Sequence, residues 1–291
     1  MMSMLLLGSS NPLDHVVAHN LFEINAFGYT IPVNNHMIML TVTAVIMLLV
    51  FPLVARRQEL VPHGVRNFFE AICVYFREEV ARPMLHDQTD RFIGLIWTFF
   101  FFILFNNLLG LIPVASILYL VSGGRLQEVG GTATGNIYVT GALAALTFIL
   151  VHVAGIWNNI LHERHHRPWL AAVPMGTLKY FYKMVPHIPG VIGYVLFLPL
   201  FVLEFLGLAV KSVALAIRLF SNMIAGHILL GVLLFFITLA HSVGLGLFVA
   251  GISVTGSVAI SLLELFVAFL QAYIFTFLAT IFIGMAVHQE H

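Results

Sequence analysis

YVLFLPLFVLEFLGLAVKSVALAIRLFSNMIAGHILLGVLLFFITL (residues 194–239) and GLGLFVAGISVTGSVAISLLELFVAFLQAYIFTFLATIFIGMAV (residues 244–287) are two apolar runs of more than 40 residues each. At 1.5 Å per residue a helix of that length reaches about 60 Å, whereas the hydrocarbon core of a bilayer is about 30 Å thick. No proline interrupts either run after Pro199. The two runs therefore predict long, tilted helices in a hairpin that turns near Gly244–Gly246.

The rest of the chain fits the same solvent. Of its 291 residues 60% are hydrophobic and 9% charged, with a mean hydropathy of +1.00; soluble domains carry about a quarter charged residues. A soluble fold of this size could not hide that apolar surface. The 26 Phe and 23 Gly suit packed membrane helices rather than a β-barrel. Zero net charge argues against a nucleic-acid binder, and the single Cys73 excludes a disulfide framework within the chain. The opening MMSMLLLGSSNP has no basic residue, and its apolar run is too short for a signal peptide.

Working outward, residues 1–36 read as a mostly irregular segment on the outside. Met37–Val54 is long enough to span, and Arg56 and Arg57 end it. From Gly64 to Arg82, Phe68, Phe69, Ile72, Cys73 and Phe76 alternate with Arg66, Glu70, Arg77, Glu78 and Glu79 at helical spacing, which predicts an interfacial amphipathic helix ended by Pro83. Residues 92–121 and 137–157 are the second and third spans, separated by a Gly-rich loop, and residues 161–189 are polar and basic. The expected fold is thus all-α and polytopic: about five membrane segments plus one interfacial helix, in one membrane domain. Residues 37–157 hold the first spans and residues 190–291 the long hairpin. Ten of the 13 Lys and Arg lie in two loops, 56–91 and 164–183, which places both loops inside, the N-terminus outside and the C-terminus inside.

Ionisable groups inside spans are rare, each opposing insertion by about 2.5–3.5 kcal/mol at a helix centre. The hairpin holds five: Glu204, Lys211, Arg218, His227 and Glu264. Glu204, Lys211 and Arg218 are seven residues apart and share one helix face, which Asn222 extends. A structural ion-pair stripe is the plainer reading. An ion path is the other, because a permanently protonated Arg cannot relay protons but can hold or block a mobile carboxylate. A reversal near 244.5 pairs residues whose numbers sum to about 489, setting Arg218 opposite Gln271 and His227 within a turn of Glu264. Imidazole and carboxylate together can exchange a proton near neutral pH. Two titratable clusters with a fixed cation between them make the layout of two offset half-channels.

VKSVALAIRLFSNMIAGHIL (210–229), the closing run from Glu264 and FNNLLGLIP (105–113) resemble, from Met37 to the tail, subunit a of F-type ATP synthases. The resemblance implies a stator ion channel in the membrane sector of a rotary motor, no enzyme by itself, with ATP chemistry on other subunits and no cofactor. It implies as partners the rotating c-ring, the peripheral-stalk subunit b and membrane lipids. Arg218 matches the essential arginine facing the ring carboxylate, Gln271 the glutamine near it, and Glu204 and Lys211 polar positions toward the inner half-channel. Asn222 and Asn107 match motif asparagines. His227 and Glu264 keep the outer pair with the two residue types exchanged relative to many relatives. Asn136 and Gly110 stand where some relatives carry Asp, and Ser221 where Gly is usual. Protons rather than Na⁺ are expected as the ion, since no Na⁺ cage is evident, and a bacterial inner membrane as the location, an organelle's being the alternative.

Smaller signals have plainer readings. His152 is expected at the inner interface, HERHHRPW (162–169) as a solvated basic loop against headgroups rather than a metal site, and His241 as an outside loop residue. Asn107 divides evenly between a helix–helix hydrogen bond and channel lining. Gly244, Gly246, Gly251 and Gly256 suggest close helix packing. A haem carrier would need paired histidines at matching depths, and a secondary transporter internal repeats; neither pattern stands out.

Overall fold

The computed structural model describes residues 20–26, 29–55, 64–112, 114, 132–164, 168–185, 188, 191–239 and 243–288. Arg56, Arg57, Pro113, Arg125 with most of the Gly-rich loop, His165, His166, His241 and the last three residues lie outside them. In chain order the elements are β1 (Asn20–Ala26), β2 (Tyr29–Asn34), α1 (Asn35–Ala55), α2 (Val65–Tyr75), a π-helical turn (Phe76–Ala81), α3 (Arg82–Leu85), a 3-10 turn (His86–Gln88), α4 (Thr89–Leu111), a second 3-10 turn (Ala133–Gly135), α5 (Ile137–Arg164), α6 (Trp169–Lys183), α7 (Val191–Thr238) and α8 (Val243–Val287). Five helical runs among the described residues are long and apolar enough to cross a membrane, the number expected. The protein is an all-α polytopic membrane protein apart from one short hairpin.

The chain packs as two compact units, Met1–Leu53 with Phe101–Thr140 and Ile217–Ala272, and Val54–Phe100 with Gly141–Ala216 and Tyr273–His291. In the first, β1 and β2 pair antiparallel with Ile24 opposite Ile31 and Ala26 opposite Tyr29. This corrects the irregular reading of the N-terminal segment: FEIN and TIPV alternate apolar and polar residues with the period of a strand. In α1, Thr43 donates to Asn106 Oδ1 of α4 at 3.0 Å, joining the two helices. The α7–α8 hairpin turns between Thr238 and Val243, a few residues before the expected glycines. The expected register nevertheless stands: a Cβ on Gly256 would touch Leu233 at 3.4 Å, and one on Gly226 would meet Glu264. The legs are therefore unequal. Leu233 lies five residues before the end of α7 and Gly256 thirteen after the start of α8, so α8 uses about 12 Å more helix to reach the same level. Among the described residues, nothing stands within 4 Å of where a Cβ on Gly244 or Gly251 would lie.

In the second unit, Pro83 does not end the amphipathic helix. A proline in a helix opposes the carbonyl four residues back, and the wider turn over Phe76–Ala81 precedes it; the Arg82 N–H bonds the Arg77 carbonyl five residues away. The break comes at His86, whose φ is 45°. Val65–Tyr75 has no buried residue, whereas Phe76, Val80, Ala81 and Leu85 are buried. Residues 161–189 are not simply a polar loop: α5 continues to Arg164 and α6 follows. Gly176 of α6 lies so close to α5 that a Cβ would stand 2.7 Å from Ile160 Cα. Lys179 of α6 pairs with the buried Glu163 carboxylate of α5.

Candidate functional sites

The first unit holds His227 and Glu264. His227 sits on α7, and its Nδ1 is 3.0 Å from the Met223 carbonyl of the preceding turn. Its Nε2 is 3.3 Å from the Gly110 carbonyl of α4 and 3.5 Å from Thr132 Oγ1. Both ring nitrogens thus face acceptors; a neutral imidazole has a hydrogen for one of them, an imidazolium for both. Glu264 of α8 is 8% exposed, and its Oε1 lies 3.9 Å from His227 Nδ1. Neither carboxylate oxygen has a hydrogen-bond partner among the described residues. Gly226 makes the place for this carboxylate, because a Cβ there would lie 1.7 Å from Oε1.

Behind the pair, Asn107 is fully buried. Its Nδ2 donates to the Ala268 carbonyl of α8 at 3.2 Å, and its Oδ1 accepts from Thr134 Oγ1 at 3.0 Å. Of its two expected readings, the structure gives it the helix–helix bond. Asn136 caps α5: its Oδ1 accepts the Tyr138 N–H at 2.8 Å, and its carbonyl accepts the Thr140 N–H. Sequence reading passed over two residues of this neighbourhood, His36 and Thr132, and His36 Nδ1 donates to the Thr132 carbonyl at 3.0 Å. Their separation of 96 residues hides the contact from any motif.

Arg218 is exposed and has no hydrogen bond or ion pair with any described residue. Ile217 beside it is exposed too, as are Leu262, Leu263, Phe266 and Phe269 on α8. Gln271 is 3% exposed, and its Nε2 is buried without a partner among the described residues, so the matching register does not bring the amide and the guanidinium into a hydrogen bond. Asn222 is half-buried.

The second unit holds Glu204 and Lys211. Glu204, half-buried on α7, lines a cavity of about 240 Å³ together with Lys183, Leu208, Phe282 and His288. That volume exceeds the roughly 30 Å³ share of one water several-fold. His288, at the end of α8, meets the His86 ring edge-on at 5.4 Å. Lys211 is exposed, with Nζ 5.8 Å above the Phe282 ring. His152 is buried among side chains: it stacks on Phe205 at 5.3 Å, with Nδ1 2.7 Å from the Tyr180 hydroxyl. A Cβ at Gly155 would enter the Tyr180 ring, so the glycine admits this tyrosine. Burial pushes the Tyr180 phenol above the ordinary tyrosine range. No cluster of three or more potential metal ligands occurs among the described residues.

Known proteins resemble the chain over most of its length. The pattern of the family described as ATP synthase A chain matches residues 37–284. A protein of Anaeromyxobacter sp. (strain Fw109-5) named ATP synthase subunit a is 36% identical over 280 residues, covering 95% of this chain and 60% of its own length. Proteins of the same name from Pelodictyon phaeoclathratiforme and Chlorobium phaeobacteroides (strain DSM 266 / SMG 266 / 2430) are 34% and 33% identical over 96% of this chain, and over 77% and 75% of their own lengths. The chain thus spans about 60% of the Anaeromyxobacter relative and three quarters of the other two. A family pattern running from the start of α1 almost to the end of α8, together with these relatives, establishes that the chain belongs to the ATP synthase A chain family.

Proposed function

We propose that this chain is the stator ion channel of a rotary ATP synthase. It provides two offset proton half-channels to carboxylates on a c-ring and couples proton flow to rotation. His227 and Glu264 line the outer half-channel, with Asn107 and Asn136 ordering its walls. Glu204, with Lys211 near it in sequence, belongs to the inner one. Arg218 separates them, and Gln271 and Asn222 accompany it. The ATP chemistry belongs to other subunits. The peripheral-stalk subunit b and lipids cover further parts of its surface. The membrane is a bacterial inner membrane, with the N-terminus outside and the C-terminus in the cytoplasm.

The observation that carries this reading is the exposed Arg218. A permanent cation on an apolar, exposed helix face cannot be left against hydrocarbon, where it opposes insertion by about 2.5–3.5 kcal/mol. It calls for an anion brought by another chain, and a ring carboxylate meets that need. An arginine does not release its proton, so it attracts each arriving carboxylate without offering a path between the half-channels.

The test uses the assembled synthase in liposomes. Arg218→Ala abolishes ATP synthesis driven by a proton gradient while the c-ring still assembles; normal coupled synthesis contradicts the assignment. Glu264→Gln slows proton passage with a smaller effect, and an equal or larger loss would place the barrier elsewhere. ATP-driven pumping with and without Na⁺ identifies the ion.

A further inference from the structure

The space that a side chain at Gly110 would take is already filled. A Cβ there would lie 1.5 Å from the Thr132 methyl and 3.1 Å from Met223 Cε, so Thr132 occupies the place. The same residue is tied on its other sides. Its carbonyl accepts from His36 Nδ1 and from the Gly135 N–H, each at 3.0 Å. Two residues on, Thr134 is held by Asn107. Thr132 Oγ1 then lies 3.5 Å from His227 Nε2, a long contact of the kind that tightens when a site is engaged.

We infer that Thr132 is the positioning residue of the outer half-channel: anchored by His36 and seated over Gly110, it fixes the His227 ring toward Glu264. This rests on the half-channel reading above and deepens it. A histidine that exchanges protons must present one nitrogen reproducibly, and that is set by what its other nitrogen meets. Here the Gly110 carbonyl and the Thr132 hydroxyl meet Nε2, while Nδ1 meets the Met223 carbonyl at 3.0 Å and lies 3.9 Å from Glu264 Oε1. The carbonyl can only accept. The hydroxyl can donate or accept, so it can serve the ring in either protonation state. Among the described residues, the titratable groups around His227 are Glu264 on α8 and, through Thr132, His36 at the start of α1. A threonine supplies both needed parts: a methyl that packs over a glycine and a hydroxyl that reaches the imidazole.

The experiment compares Thr132→Val, which keeps the shape and loses the hydroxyl, with Thr132→Ser, which keeps the hydroxyl, in the whole synthase in liposomes. ATP synthesis per assembled complex and passive proton conductance are followed as the outside pH is varied. Thr132→Val lowers both by about two- to tenfold, the range given by loss of one neutral hydrogen bond, and moves their dependence on outside pH. Thr132→Ser recovers most of the rate and the original pH dependence. Gly110→Ala, which pushes the threonine away, reproduces the Thr132→Val behaviour. A wild-type rate and pH profile in Thr132→Val overturns the inference, as does a Thr132→Ser protein as impaired as Thr132→Val. Arg218→Ala is run alongside. If it retains coupled synthesis, the half-channel reading itself fails; if it does not and Thr132→Val is normal, only the role of Thr132 fails.

Discussion

Gly226→Ala adds one methyl group at the most closely fitted point of the outer pair. The new Cβ would stand 1.7 Å from Glu264 Oε1, 2.6 Å from Cδ and 2.9 Å from Cγ, whereas real Cβ contacts essentially never fall below 3.0 Å. The carboxylate oxygen must therefore withdraw by at least about 1.3 Å, and Cγ must shift with it. Overpacking of this kind, the off-rotamer shift included, costs about 1–3 kcal/mol. Replacing glycine in a helix returns up to about 1 kcal/mol. The net change in stability is thus small, on the order of 0–2 kcal/mol, and the complex still assembles. Function responds more strongly. Oε1 now lies 3.9 Å from His227 Nδ1, already beyond hydrogen-bond length, and retreat carries it out of productive reach. Gradient-driven ATP synthesis by the reconstituted complex is expected to fall about tenfold or more, equivalent to at least 1.4 kcal/mol. ATP hydrolysis by the detached catalytic sector stays at the wild-type rate. Synthesis at the wild-type rate in a fully assembled Gly226→Ala complex would refute the reasoning, since the Glu264 carboxylate would not then need the place that the glycine leaves.

Three further predictions concern stability, measured by thermal unfolding in detergent. Gly176→Ala is expected to destabilise by about 1–3 kcal/mol, because its Cβ would press on the backbone of Ile160, which cannot rotate away. Gly251→Ala, into open space, is expected to be neutral or stabilising by up to about 1 kcal/mol; the reverse order would contradict the packing described for α5 and α6. The Tyr180 phenol, pushed up by burial, stays protonated in the folded chain above the ordinary tyrosine value of about 10. The unfolded chain then binds fewer protons, so this contribution is fully present below that pH and is lost as pH rises from there through the raised value of the folded chain. Tyr180→Phe should flatten the fall in stability on the alkaline side, and an unchanged slope would exclude Tyr180 as its source.

Much of the fold was legible because apolar run length in a bilayer solvent leaves few options. The five spans and the pairing of His227 with Glu264 followed from run lengths and from one guess about where the chain reverses. The guess placed the turn late, yet its register stands in the Gly226–Glu264 and Leu233–Gly256 contacts, because helix packing rather than the turn sets the level. Pro83 misled because its local effect can be absorbed by a widened turn. The burial of His152 was not legible because its partner Tyr180 stands 28 residues on. His36 and Thr132 carried no signal at all, since their role arises from a contact between remote segments.

The unequal legs of the α7–α8 hairpin bear on which length changes the chain can absorb. Residues added or removed between Thr238 and Val243 leave the level of Glu264 untouched, because side-chain contacts deeper in the pair hold it. One residue added between Val243 and Glu264 turns everything beyond it by about 100° around the helix axis, swinging the carboxylate off the face that meets Gly226. Natural variation in length should therefore concentrate in the connection and be absent from the first six turns of α8.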